Sequence, residues 1–298
     1  MKASLSAQIP GTKAPPLSSP ASRLHWLWLL SRDSGAVVGG LIMVVVLLLS
    51  IVGPMLITTD PLKADMLNAY QPPSRSNPLG TDILGRDMLA RLLYGGRISL
   101  IVGLGTTVAT VLIGGLLGLI AGYFDAVDGV IMRVMDGLMA FPNMMLAIAI
   151  MAARGPGVEN VIVAMTVTST PRLARLVRGQ VLTIRSLLYV DAANCLGATR
   201  WRILFRHILP NSTSPLIVQS SFTFAVAVVV EAGMSFLGAG VPPQIPAWGN
   251  MLQEGVQAMT RAPWMSFFPG LALALTVLGL NLLGDGLRDS LDPRMHGH

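Results

Sequence analysis

Six stretches of the chain stay apolar over close to twenty residues or more, at roughly 36–57, 98–122, 132–152, 158–177, 213–238 and 267–287. At about 1.5 Å of rise per helical residue, each is long enough to cross a hydrocarbon core about 30 Å thick. The pattern predicts an all-α membrane protein with six transmembrane helices. Arg133, Asp136, Pro142 and Pro171 interrupt the third and fourth spans, and proline is tolerated there where neighbouring helices take up the freed carbonyl. The chain divides accordingly into a flexible tail (1–34), a first anchor helix (35–57), a polar segment (58–97), a transmembrane domain (98–287) with long loops at 178–212 and 239–266, and a C-terminal tail (288–298).

Composition agrees with a lipid solvent. Apolar residues make up 52% of the 298 positions and charged residues 12%, about half the charged share of a soluble domain. The net charge of +6 does not point to nucleic acid, because the basic residues sit in short stretches between apolar runs without interleaved aromatics. The tail holds Lys2, Lys13, Arg23 and Arg32 and leads into an apolar run too long for a signal-peptide core, with no small-residue cleavage site nearby. It reads as an uncleaved signal anchor. Cys195 is the sole cysteine; it excludes an internal disulfide and reads as a small filler.

Lys and Arg sort by side. Fourteen of the 21 fall on the face holding both termini and the 178–212 loop, and seven on the other. The positive-inside rule places that loop and both termini in the cytosol. Trp26, Trp28 and Trp264 are expected in interfacial belts. Gly114, Gly118 and Gly122 recur every fourth residue of the second span, which leaves one face bare for close approach of another helix, in bundle packing or along a pore.

The 178–212 loop is too apolar for a solvated linker. Val190, Ala193, Leu196 and Gly197 fall at three- and four-residue spacings, as on one stripe of a short helix, and Gly197 suits a left-handed C-terminal cap. A second helical stretch is expected from Trp201 to Leu209, broken at Pro210–Asn211. Such a helix fits a groove on a soluble partner; the alternative is an amphipathic helix lying on the bilayer.

Asp191-Ala192-Ala193, Gly197 and Leu209-Pro210 together resemble the EAA loop of bacterial ABC importer permeases, with Asp191 where the family has Glu and His207 where it often has Ile. The resemblance runs on through Asn77-Pro-Leu-Gly-Thr-Asp-Ile-Leu-Gly-Arg-Asp-Met-Leu-Ala-Arg91, Gly96-Arg97-Ile98-Ser99-Leu100, Ser235-Phe-Leu-Gly-Ala-Gly-Val-Pro-Pro243, Pro246-Ala-Trp-Gly-Asn-Met-Leu252 and Gly284-Asp-Gly-Leu-Arg-Asp-Ser-Leu-Asp-Pro293. These are similar to the C-type permeases of dipeptide, oligopeptide and nickel importers. The resemblance implies a type I ABC importer transmembrane fold and a homologous B-type permease as partner. Two cytosolic ATPases and an external solute-binding protein would complete the assembly. It also implies ATPase coupling through Asp191, Ala192, Ala193, Leu196, Gly197, Trp201, His207 and Pro210. The solutes of such relatives include peptides, glutathione, nickel complexes and opine-like compounds.

The chain carries no G-x-x-x-x-G-K-[ST] phosphate loop, so ATP and Mg belong to partner ATPases and no cofactor or metal is expected on this chain. No His-Glu-x-x-His, Gly-x-Ser-x-Gly or paired intramembrane aspartate suggests an intramembrane enzyme, and no catalytic residue is assigned. A stand-alone channel or secondary transporter would carry several buried ionisable groups. Glu231 alone qualifies clearly, as a pathway or gate residue or as a structural hydrogen-bond acceptor, because a carboxylate facing lipid at mid-depth costs at least about 2.5 kcal/mol.

Other charges have local readings. Arg133 and Asp136 are spaced for an intrahelical pair, as are Asp82 with Arg86 and Asp87 with Arg91. These last four, with Trp248, are also candidates for docking the external binding protein. Arg172, Arg175 and Arg178 read as anchors at the inner end of the fourth span, or as an ATPase contact. His25, His296 and His298 lack the companions a metal site needs.

Overall fold

The computed structural model describes residues 33–291. Most of the N-terminal tail, Trp26 and Trp28, and the C-terminal histidines lie outside the described residues. The architecture is a bundle of long helices joined by short ones. Helix α1 spans Ser34–Ile51, with Asp33 at its start accepting hydrogen bonds from the amides of Gly35 and Ala36, and runs on through a single turn at Gly53–Leu56. Helix α2 covers Met88–Tyr123, α3 Asp125–Met139, α4 Asn143–Arg154 and α5 Val158–Arg185. The short α6, Leu188–Cys195, precedes α7, Arg200–Ile203, which passes through a π-turn into α8, Leu209–Phe236. Helices α9, Trp248–Gln257, and α10, Trp264–Leu291, complete it.

Helix α1 with its extra turn, α2, the rod Arg200–Phe236 and α10 are each long and apolar enough to cross a membrane. Helices α3 and α4 add a fifth span if the bent pair counts as one. The expected third span is thus not a straight helix: α3 and α4 meet at 91°. Pro142 explains the corner, since it biases Phe141 away from helical geometry and takes an extended ψ of 130° itself. The expected fourth span is α5, whose 28 residues measure about 42 Å. Its arginines keep it below the apolarity of the others.

Two helices exceed their expected bounds. Helix α2 begins ten residues before position 98, because Asp87 caps it by accepting the Ala90 amide at 2.7 Å. Helix α5 runs eight residues past position 177, to Arg185. The expected break at Pro210–Asn211 is also absent, and the helix runs through it. Pro210 has no amide proton to donate, but the π-turn at Leu204–Ile208 widens the ladder just before it. The side chains of Asn211 and Ser212 then donate to the carbonyls of His207 (2.6 Å) and Ile208 (3.0 Å).

The contact between α2 and α5 organises the bundle. A Cβ on Gly118 would lie 2.5 Å from the Ala174 carbonyl oxygen, and one on Gly122 would lie 2.7 Å from Cβ of Val181. Gly114 faces the Thr170 carbonyl and Leu173 in the same way. The expected bare face therefore packs backbone to backbone along about two turns. Helix α1 lies antiparallel to α10, with Gly39 against Leu282 and Ala36 against Gly286.

The α2–α5 interface admits no side chain at its centre. Gly118→Leu should therefore destabilise the purified protein by about 3 kcal/mol or more, as overpacking of a closed contact does. At Gly115, where a Cβ meets nothing within 4 Å, alanine should be silent. Thermal unfolding in detergent checks both.

Candidate coupling surface and membrane groove

Helix α6 is fixed from below by one residue. Val190 is fully buried in a cluster with Leu119, Val177, Val181, Ile184, Ile203, Leu204 and Ile208, to which α2, α5 and the start of the Arg200–Phe236 rod all contribute. Ala193 and Ala198 pack on the same cluster. Gly197 ends the helix with φ +78°, the left-handed conformation of the expected cap, and the Ala198 amide closes the turn on the Ala193 carbonyl at 3.1 Å. Leu196 does not join the buried stripe, because it occupies the cap position and points outward, 88% exposed.

The outer face of α6 is free. Asp191, Ala192 and Cys195 are exposed, with Leu188 at one end and Leu196 at the other. Trp201, more than half exposed, stacks on Phe205 with centroids 5.9 Å apart and leans on Phe124. The half-buried His207 lends its carbonyl to Asn211 and to the Tyr189 hydroxyl, which ties α6 to the rod; Pro210 is exposed beside it. The structure thus gathers Asp191, Ala192, Ala193, Leu196, Gly197, Trp201, His207 and Pro210 at one end of the bundle.

Arginines of α5 bind α3 to this end. Arg175 pairs with Asp136 (2.6 Å), Arg178 with Asp128 (2.5 Å) and Arg185 with Asp125 (2.7 Å). Arg175 and Arg178 are therefore helix-to-helix ties, and Asp136 pairs with Arg175 across helices instead of with Arg133 on its own.

At the opposite end, Asp82, Arg86, Asp87, Arg91 and Trp248 are all buried. Arg86 donates to Asp82 at 2.5 Å and Arg91 donates to Asp82 as well, while both arginines reach Glu254 of α9. Asp82 and Arg86 pair within a loop and not along a helix. Asp87 does not pair with Arg91, since it caps α2 and accepts from Asn77. Trp248 donates its indole N–H to the Leu92 carbonyl (3.0 Å), and Trp264 donates to that of Thr81 (3.1 Å), so Trp264 is a clasp on the 58–87 segment. Glu254 was not legible in the sequence, because its partners lie more than 160 residues away.

Glu231 is fully buried. Ser99 of α2 donates to one of its oxygens at 2.9 Å and Ser235 to the other at 2.8 Å, while Ser235 itself accepts the Val241 amide. The carboxylate joins α2, α8 and the loop after α8, and it lines none of the clefts described here.

Those clefts run down one face between α5 and α8. Three adjoin, of about 560, 380 and 610 Å³, and Gln219 lines all three. Asn143 and Arg172 line the second and third. Asn143 and Gln219 were passed over in the sequence, although amides inside apolar spans are the available signal for a polar lining.

Residues 114–297 match the family described as binding-protein-dependent transport system inner membrane component, and residues 25–73 match the N-terminal transmembrane domain of oligopeptide transport permease C. The chain belongs to the ABC importer permeases. It is 50% identical over 277 residues, 93% of its length and 95% of the relative's, to a probable peptide ABC transporter permease of Sinorhizobium fredii. It is 41% identical over 261 residues to an oligopeptide transport system permease of Bacillus subtilis, covering 87% and 86% of the two chains. A glutathione transport system permease of Pectobacterium atrosepticum is 45% identical over 232 residues, covering 78% and 76%. The permease is therefore a multi-pass inner-membrane subunit with the type I importer fold and not an enzyme; hydrolysis of ATP falls to partner ATPases.

The cap on α6 is testable by itself, because a Cβ on Gly197 would meet nothing within 4 Å. Gly197→Ala should cost about 1–2 kcal/mol of left-handed backbone strain and lower coupled ATP hydrolysis in the assembled importer. Gly197→Asn, which tolerates that conformation, should retain most of it. ATPase assays on the two variants compare them.

Proposed function

We propose that this permease forms half of a translocation pathway for di- or oligopeptides, beside a homologous B-type permease. Helix α6 takes up the stroke of two cytosolic ATPases carrying ATP and Mg, and an external solute-binding protein delivers the cargo. The carrying observation is the build of α6: one buried valine and a glycine cap hold it rigidly, with two leucines projecting from a face of small residues. A helix lying on the bilayer would turn its apolar side to lipid along its length. Here the apolar side is spent on Val190, and the exposed face carries Asp191.

The excess of Lys and Arg supports placing α6 and both termini in the cytosol. The Arg86–Asp82–Arg91–Glu254 network then lies outside. Being internal, it serves docking by bracing the 58–87 segment against α9, whose outer surface receives the binding protein. Glu231 acts in this reading as a latch among α2, α8 and the external loop. Lipid surrounds the bundle, and nucleic acid has no part. The peptide assignment is supported by the names of the relatives in Sinorhizobium and Bacillus.

Co-expression with neighbouring permease, ATPase and binding-protein genes tests the assembly. A tagged permease should recover a second permease and two ATPase copies, and peptide-loaded binding protein should stimulate ATP hydrolysis. Solute movement by the purified chain alone, or mapping of α6 to the outer face, would overturn the proposal.

A further inference from the structure

Helix α5 carries four arginines, and the structure treats one of them differently. Arg175, Arg178 and Arg185 each hold an aspartate of α3. Arg172 has no ion pair among the described residues and is exposed into two adjoining clefts. Its position is unusual for a free cation. It stands fourteen residues from the start of α5 and thirteen from its end, about 20 Å from either at 1.5 Å per residue. It falls inside the stretch expected to cross the membrane, and its side chain lines clefts walled by α8 and by Asn143 of α4. An ionisable group in such a segment faces protein, water or a pathway and not lipid.

The lining points to the charge that Arg172 meets. Asn143, Ser169, Thr223 and Gln219 surround it with neutral hydrogen-bonding groups, and among the described residues no carboxylate lines any of the three clefts. The other charges there are Arg175, whose guanidinium is already bound to Asp136, and Arg288 near the end of α10. The groove is electropositive and offers amide and hydroxyl groups beside one planar, two-pronged donor. A guanidinium with flanking amides suits a carboxylate, which it engages through two parallel N–H···O bonds. The cleft is open, wide enough for a small solute, and Phe222 and Val226 give it an apolar wall.

We infer that Arg172, with Asn143 and Gln219, is a carboxylate station on the translocation path, and that it takes the terminal carboxylate of the passing peptide. The inference rests on the peptide-import reading and names the contact that reading lacks. Arg172 is thereby a specificity residue of the pathway, separate from the ATPase-facing end. The other source of a carboxylate is the facing permease, and the two sources differ in what they predict for assembly.

The assembled importer in proteoliposomes, with its binding protein outside and a radiolabelled free-acid peptide as probe, gives the test. Arg172→Gln should lower peptide moved per ATP hydrolysed about tenfold, the weight of one charge-assisted contact, with the permease pair still recovered. Arg172→Lys, which keeps the charge but loses the two-pronged geometry, should fall between the parent and Arg172→Gln. Equal uptake per ATP in parent and Arg172→Gln overturns the inference alone, as does a loss in Arg172→Lys as deep as in Arg172→Gln. Failure of Arg172→Gln to recover the permease pair assigns the arginine to a carboxylate of that partner and also overturns it. A parent importer that moves no peptide defeats the proposed function, and the inference with it.

Discussion

The rest of this permease depends on the backbone contact between α2 and α5. Glycines at 114, 118 and 122 remove every side chain from one face of α2, and the carbonyls of Thr170, Ala174 and Arg178 occupy the space. In lipid, where apolar side chains gain little by leaving one solvent for a like one, such close approach is a principal source of helix association. The pair it creates is a stiff plank. One end presents the pocket for Val190, the other carries Ser99 to Glu231, and the far side of α5 walls the groove with Arg172.

Charge is distributed around that plank according to reach. Three α5 arginines meet aspartates of the amphipathic α3, fastening the bent α3–α4 pair to the plank without deep burial of charge. At the opposite end two arginines share Asp82 and Glu254 inside the protein, an arrangement that costs desolvation and is held because each carboxylate is used by both. The network fixes a long segment, residues 58–87, whose only helix is a single 3-10 turn at Met66–Asn68 and which has no hydrophobic core of its own. Gly85, at φ +73° and packed on the Asp65 carbonyl, permits the turn that brings Asp82 back toward Arg86.

Much of this was legible in the sequence, for physical reasons that can be named. Apolar runs located the long helices but not their ends, which lie ten residues earlier in α2 and eight later in α5; the GxxxG face announced a close neighbour, and Gly197 announced its own left-handed turn. What escaped depends on long-range geometry. The corner at Pro142 and the continuity through Pro210 look alike locally, and they differ because side chains of Asn211 and Ser212 serve the carbonyls near the second proline. Arg172, Arg175 and Arg178 share a spacing that suggested one role. They part company because the helix runs on to Arg185, and because α3 supplies aspartates to the later arginines and none to the first. Asp87 and Arg91 have the spacing of a helix pair, yet Asp87 lies at the cap, where amides claim its carboxylate.

Rigid transmission is the central claim: α6 and the α2–α5 plank move as one body when the ATPases close. Cys195, exposed on α6 and the sole cysteine of the chain, offers a native labelling point, and the exposed Val108 of α2 accepts a second introduced cysteine. Spin-label distances between the two, taken in the assembled importer without nucleotide and with ATP trapped, measure the coupling directly. The account predicts a separation constant to within about 2 Å, the scale of ordinary shifts between packed helices, and a change of about 5 Å, one helical turn, would contradict it.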